Sequence, residues 1–153
     1  MVEVGKKAPS FTLLDMNGKK VSLKDFLGSK VILYFYPKDM TSGCTKEACD
    51  FRDNFPNFSK LKIQVIGISP DSVESHKKFA EKYNLPFILL SDEKKEVVQK
   101  YGVWKEKSLY GKKFMGVERT TFIIDENGKI MHIFPKVKVD GHVEEILKVL
   151  KSN

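Results

Sequence analysis

The sequence predicts an α/β fold built on a buried, largely parallel sheet, and three observations point there. Val31–Tyr36 (Val-Ile-Leu-Tyr-Phe-Tyr) is apolar at every position, as a parallel strand covered on both faces would be. Strand-like and helix-like segments alternate along the chain, the pattern of βαβ units. The 153 residues, 41% of them hydrophobic, suffice for one domain with a real core and are too few for two ordinary ones. A single domain over residues 1–153 is therefore expected.

In order, Phe11–Leu14 and Lys19–Leu23 flank Asp15-Met16-Asn17-Gly18 and read as a hairpin, because Asn-Gly suits the positive φ of a tight turn. Ser22 with Asp25 three residues on predicts a short helical turn, ended by Gly28. Val31–Tyr36 stops at Pro37, which has no N–H for a sheet ladder. Thr41, Ser42 and Gly43 supply turn and cap residues, and a helix is predicted from there to about Phe58, bent or ended by Pro56. Ile63–Ser69 is the next strand. Pro70-Asp71-Ser72 caps a helix in which Val73, Phe79, Ala80 and Tyr83 keep a 3.6-residue period. Phe87–Leu90 reads as a short strand and Glu93–Tyr101 as a helix. Residues 103–118, with Trp104, Tyr110, Gly111, Phe114 and Gly116, show no clear period and are expected to form a long loop that walls a site or meets a partner. Thr120–Ile124 and Lys129–Phe134 flank a second Asn-Gly turn, and Gly141–Lys151 closes the chain as an amphipathic helix with Val143, Ile146, Leu147 and Leu150 inward. This order is the thioredoxin-like plan, preceded here by an N-terminal β-hairpin.

Composition excludes several function classes. No apolar run approaches the 18 or so residues of a membrane span, and Met1–Ser10, with Glu3, Lys6 and Lys7, lacks the apolar core of a secretory signal. The formal charge of +7 comes overwhelmingly from lysines interleaved with Glu and Asp, with no arginine-rich cluster or aromatic RNA-binding motif. A solvated surface is expected, without a nucleic-acid or membrane partner. Two cysteines without an export signal point to a reducing compartment, hence a cytoplasmic protein in which a disulfide is catalytic and not structural. His76, His132 and His142 lack metal-ligand spacing to the cysteines and read as surface or cap residues. No metal or other cofactor is expected.

Both cysteines lie in the stretch Pro37–Arg52, just past the apolar strand. In open α/β sheets, sites form beyond the carboxyl ends of the strands. Cys44 falls in the first turn of the predicted helix, where unpaired N–H groups and the positive dipole end favour an anion, so its thiol is expected to ionise more readily than a free one. Two buried cysteines serving only as small hydrophobes are the alternative. Against it stand the Pro/Thr/Gly-rich approach and a second cysteine, Cys49, five residues on. A thiolate nucleophile also needs a fixed cation, and among 27 basic residues only Arg52 and Arg119 carry the planar, permanently charged fork. Arg52, two turns along the same helix, reads as a helix-face ion-pair residue.

Pro37, Thr41 and Cys44 reproduce a Pro-x-x-x-Thr-x-x-Cys signature, and through it the chain resembles the peroxiredoxins. Residues 44–52, Cys-Thr-Lys-Glu-Ala-Cys-Asp-Phe-Arg, are similar to the bacterioferritin-comigratory/peroxiredoxin Q branch, whose resolving cysteine lies five residues after the peroxidatic one. The resemblance continues through Gly5-Lys-Lys-Ala-Pro-Ser-Phe-Thr-Leu, Gly67-Ile-Ser-Pro-Asp and Glu118-Arg-Thr-Thr-Phe-Ile-Ile-Asp, so it spans nearly the whole chain. Ser42 departs from it, standing where that branch usually has proline. The resemblance implies reduction of hydrogen peroxide and organic hydroperoxides. Cys44 would become a sulfenic acid that Cys49 resolves as an intramolecular disulfide, re-reduced by thioredoxin or a similar dithiol partner. It also implies that Thr41 and the loop N–H groups hold the peroxide, that Pro37 fixes the turn and shields it from water, and that Arg119 is the catalytic cation. Glu47 caps the helix or orients an arginine. A monomer or weak homodimer is expected. A general dithiol-disulfide oxidoreductase on the same fold is the rival, but it would usually carry Cys-x-x-Cys, whereas four residues intervene here.

Overall fold

The computed structural model describes residues 2–152. The first hairpin pairs β1 (Thr12–Asp15) with β2 (Lys20–Ser22), Leu13 opposite Val21. A 3-10 turn follows over Leu23–Phe26, its start fixed by the Ser22 N–H donating to Asp25 Oδ2 at 2.9 Å. Then come β3 (Val31–Phe35), α1 (Ser42–Asp53), α2 (Phe55–Lys60), β4 (Gln64–Ser69), α3 (Val73–Tyr83), β5 (Ile88–Ser91) and α4 (Glu96–Lys100). The chain continues through β6 (Trp104–Leu109), β7 (Lys112–Val117), β8 (Thr120–Ile124) and β9 (Ile130–Phe134) to α5 (His142–Lys151).

Seven strands form one sheet in the order β2-β1-β5-β4-β3-β8-β9. β3, β4 and β5 run parallel, while β8 joins β3 antiparallel and β1 joins β5 antiparallel. The thioredoxin-like plan thus holds, with the N-terminal hairpin added at one sheet edge. The period-2 alternation of β3 explains its wholly apolar sequence. Ile32, Tyr34 and Tyr36 enter a core with Phe51 of α1, Phe58 of α2, Phe79 of α3 and Ile146 of α5. Val31, Leu33 and Phe35 enter a second core on the other face, with Val97 and Val98 of α4, Tyr101 and Phe122. Among the described residues no helix is long and apolar enough to cross a membrane.

Three expectations need correction. The helix after β3 does not reach Phe58 in one piece. It ends at Asp53, where the Asn54 side chain donates to Asp50 O at 2.9 Å, and a new helix starts with Pro56 in its first turn. There the missing proline N–H costs nothing. Residues 103–118 are not a loop but the antiparallel β6–β7 ribbon, turning through Tyr110 (φ 52°) and Gly111 (φ 78°), the two positive φ values of a tight hairpin turn. Much of both its faces meets solvent, so no apolar alternation marks it. Finally, His76 and His142 are interior residues, 0% and 4% exposed, and not surface or cap residues. Burial is compensated by hydrogen bonds, for His142 one of 2.8 Å between Nε2 and Thr121 Oγ1.

Candidate active site

The loop from Pro37 to Thr41 leaves the carboxyl end of β3 and feeds α1, in which Cys44 is the third residue. Thr41 does not cap this helix with its side chain: its Oγ1 donates to Lys38 O at 2.9 Å. The first backbone turn bond runs from the Thr45 N–H to Thr41 O. The amides of Ser42, Gly43 and Cys44 precede it, and helix geometry gives them no partner within the helix. Cys44 is a free thiol, 1% exposed, in the same core layer as Tyr34, Tyr36 and Ala48.

Arg119 reaches this sulfur from the segment between β7 and β8. Its Nη2 donates to Cys44 Sγ at 3.2 Å and its Nη1 to Glu47 Oε1 at 2.6 Å. Its backbone is held where the Val137 N–H donates to Arg119 O at 2.8 Å. Gly43 admits the guanidinium, since a Cβ there would lie 3.3 Å from Nη2. Burial works against the Arg119 charge, but Glu47 and Cys44 more than offset it and its pKa is raised. Glu47 lies one turn after Cys44 and is 1% exposed. Burial pushes its carboxyl up to about 7, although Arg119 pulls the other way. Of the two placements expected for Glu47, the contact observed is the one with an arginine.

Among the described residues, two buried side-chain oxygens have no hydrogen-bond partner, Glu47 Oε2 and Tyr34 Oη. Burial, then the charges of Glu47 and Cys44, hold the Tyr34 phenol well above its usual pKa, so it stays an O–H. Its ring fits because residue 67 is glycine: a Cβ there would sit 2.8 Å from Tyr34 Cζ.

Of the sequence-derived candidates, the structure gathers Cys44, Arg119 and Glu47 into direct contact. Thr41 sits exposed just before them, and Pro37 is half-buried at the loop's start. Cys49 lies on α1 as a half-buried free thiol whose pKa is raised by burial. Arg52 turns away from the site, bonding Asp53 Oδ1 at 3.0 Å and Tyr83 O at 2.8 Å. Sequence reasoning missed Tyr34, which looks like any core aromatic, and the Asp39–His76 pair behind the loop. Only His76, a polar residue on the inward stripe of α3, could have signalled the latter.

The chain has well-matched relatives. Residues 4–133 match the AhpC/TSA family. A putative peroxiredoxin Bcp of Coxiella burnetii is 58% identical over 146 residues, covering 95% of this chain and 97% of that protein. Peroxiredoxin Bcp of Bacillus subtilis is 51% identical over 99% of this chain and 96% of its own length. Among solved structures, a cysteine-to-serine mutant of Xylella fastidiosa peroxiredoxin Q superposes with a TM-score of 0.94 at 34% identity, covering 99% of this chain and 97% of that one. The bacterioferritin comigratory protein of Xanthomonas campestris, solved in connection with its alkyl peroxide reduction activity, gives 0.91 at 36% identity with 98% of each chain covered. The chain belongs to the AhpC/TSA family, within its Bcp/peroxiredoxin Q group.

Proposed function

We propose that the protein is a thiol peroxidase reducing hydrogen peroxide and organic hydroperoxides at Cys44, the whole of residues 1–153 acting as one domain. The observation that carries this reading is the Arg119 Nη2–Cys44 Sγ bond of 3.2 Å at the amino end of α1. It puts a permanent cation and unpaired amides around one sulfur. The ionised sulfur attacks one peroxide oxygen, the O–O bond breaks, and the departing oxygen leaves with the electron pair. It takes a proton from solvent, and the sulfur keeps the hydroxyl as a sulfenic acid. Arg119 and the first amides of α1 stabilise the charge gathering on the oxygens. The Thr41 proton is engaged by Lys38 O, so Thr41 Oγ1 faces the peroxide as an acceptor. Pro37 shields the loop's start. Cys49 then attacks the sulfenic sulfur, water departs, and the disulfide is reduced by a thioredoxin-type dithiol protein. A cytoplasmic setting, as monomer or weak homodimer, suits this cycle.

A cysteine only 1% exposed admits a small peroxide more readily than another protein's disulfide, which argues against the general dithiol oxidoreductase. Titrating the reduced protein with micromolar peroxide and following it by mass spectrometry tests the reading. Rapid loss of two thiols per peroxide, with an internal Cys44–Cys49 bond, is expected. Thiols that survive stoichiometric peroxide overturn it.

A further inference from the structure

Behind the Pro37–Thr41 loop lies a polar cluster that peroxide chemistry does not use. Asp39, in the loop, is 4% exposed, and His76, on α3, is 0% exposed. The Asp39 carboxylate accepts from Tyr36 Oη at 2.6 Å and Ser75 Oγ at 2.8 Å, and meets His76 Nδ1 at 2.7 Å. The Asp39 N–H donates to Asp71 Oδ2 at 2.8 Å, which also accepts from Ser69 Oγ at 2.6 Å. On the far side of the ring, His76 Nε2 faces Leu90 O at 2.9 Å and Ser69 Oγ at 3.5 Å.

The partners on each side constrain the ring. Leu90 O has none to give, and the Ser69 proton goes to Asp71, so Nε2 meets acceptors and is itself the donor. Nδ1 and Asp39 Oδ2 share the proton of their 2.7 Å contact. His76 is thus hydrogen-bonded at both ring nitrogens and bridges Asp39 to Leu90 O of β5. Asp39, Asp71 and His76 offer ligand atoms within 4.8 Å of one another, but the bonds just described already commit them.

A buried hydrogen-bond network with its members satisfied is rigid and selects one geometry. Here the selected geometry is that of the loop. Met40, next to Asp39, holds the left-handed φ of 66°, a conformation uncommon for a residue with a side chain. Thr41 and the start of α1 follow directly. We propose that Asp39 and His76 are positioning residues of the peroxide site: they hold residues 38–41 from behind, so that Thr41 Oγ1 and the first amides of α1 keep their places around Cys44 Sγ. This rests on the peroxide-reducing reading of that site.

Single-turnover oxidation of Cys44 by hydrogen peroxide, measured on Asp39 variants, tests the proposal. Asp39→Ala removes all three acceptor contacts and slows oxidation about 100-fold, the size expected of an ångström-scale misplacement. Asp39→Asn keeps most of the rate. Its amide oxygen still accepts from Tyr36 and its NH2 donates to a neutral His76, whose Nε2 still serves Leu90 O. A folded D39A protein oxidised at the wild-type rate overturns the proposal. Should D39A fail to fold, Ser75→Ala, which removes a single donor, must slow oxidation in the same direction, and an unchanged rate overturns it equally. Alkylation of Cys44 by iodoacetamide reads the displacement without peroxide. If the wild type consumes no peroxide but alkylation still separates D39A from D39N, the peroxide reading fails and the positioning pair survives.

Discussion

Glu47 holds Arg119 through a 2.6 Å charge-assisted bond while the same arginine touches Cys44 Sγ at 3.2 Å. One side chain thus aims the only guanidinium that reaches the sulfur, since Arg52 is spent on Asp53 and Tyr83.

The two arginines should therefore respond differently to Lys. Arg119→Lys replaces a two-pronged donor with a point charge that cannot serve Glu47 and Cys44 in the same geometry. Peroxide oxidation of Cys44 should slow by about 100-fold, as when a donor to a developing charge is removed. Arg52→Lys should stay within about twofold, because its contacts lie outside the site. Stopped-flow oxidation of both variants decides it, and equal losses would sink the assignment.

Stability should depend on pH through two opposing groups. Glu47 titrates near 7 in the fold against an ordinary 4.5, so the folded state binds its proton more tightly. Its contribution is full below about 4.5 and is lost as pH rises through 7. His142, desolvated and facing Arg119, titrates near 4 against 6.5, so its contribution is present above 6.5 and lost as pH falls through 4. Between these limits the two offset each other. Glu47→Gln should leave stability rising from pH 4.5 to 6.5 by on the order of 2 kcal/mol, and His142→Gln should leave it falling by a similar amount. Urea unfolding at three pH values across that window provides the measurement, and parallel profiles for the two variants would contradict it.

Packing at Gly67 gives a prediction independent of peroxide. Gly67→Ala drives a methyl to 2.8 Å from Tyr34 Cζ and should destabilise by about 1–3 kcal/mol. Tyr34→Phe removes a buried hydroxyl without a partner and should be neutral or stabilising by about 1 kcal/mol. Combined with G67A it should relieve little, because the ring carbon clashes as well as the oxygen. Denaturant midpoints of the three variants test this.

Cys44 and Cys49 share α1. Residues five apart on a helix have Cα atoms roughly 8–9 Å apart, beyond the ~7 Å that a disulfide spans without backbone movement. Oxidation should therefore unwind the start of α1. Hydrogen exchange over residues 40–56 should rise on disulfide formation while β3 stays protected. In Cys49→Ser, which forms a sulfenic acid but no internal bond, exchange should stay low. Unchanged exchange in a protein with a confirmed Cys44–Cys49 bond would remove the basis for unwinding.

Where side-chain chemistry announces itself locally, the sequence was legible. The apolar run of β3, both Asn-Gly turns and the Pro37–Thr41–Cys44 spacing each follow from neighbours within a few residues. The Arg119–Cys44 contact joins residues 75 positions apart, and only the family signature pointed to it. Asp39 and His76, 37 positions apart, left no such signature. Polar residues inside a core read as surface until the fold brings their partners together. The β6–β7 ribbon escaped for the opposite reason: with little of it buried, its strands carry no apolar rhythm.

Because one short helix bears both cysteines, the amides proposed to receive the oxidant belong to the segment that the disulfide should unwind. On that reading an oxidised molecule would dismantle its own peroxide cradle and regain it only after a dithiol had acted. Oxidant and reductant would then never share the site, and turnover should be ping-pong.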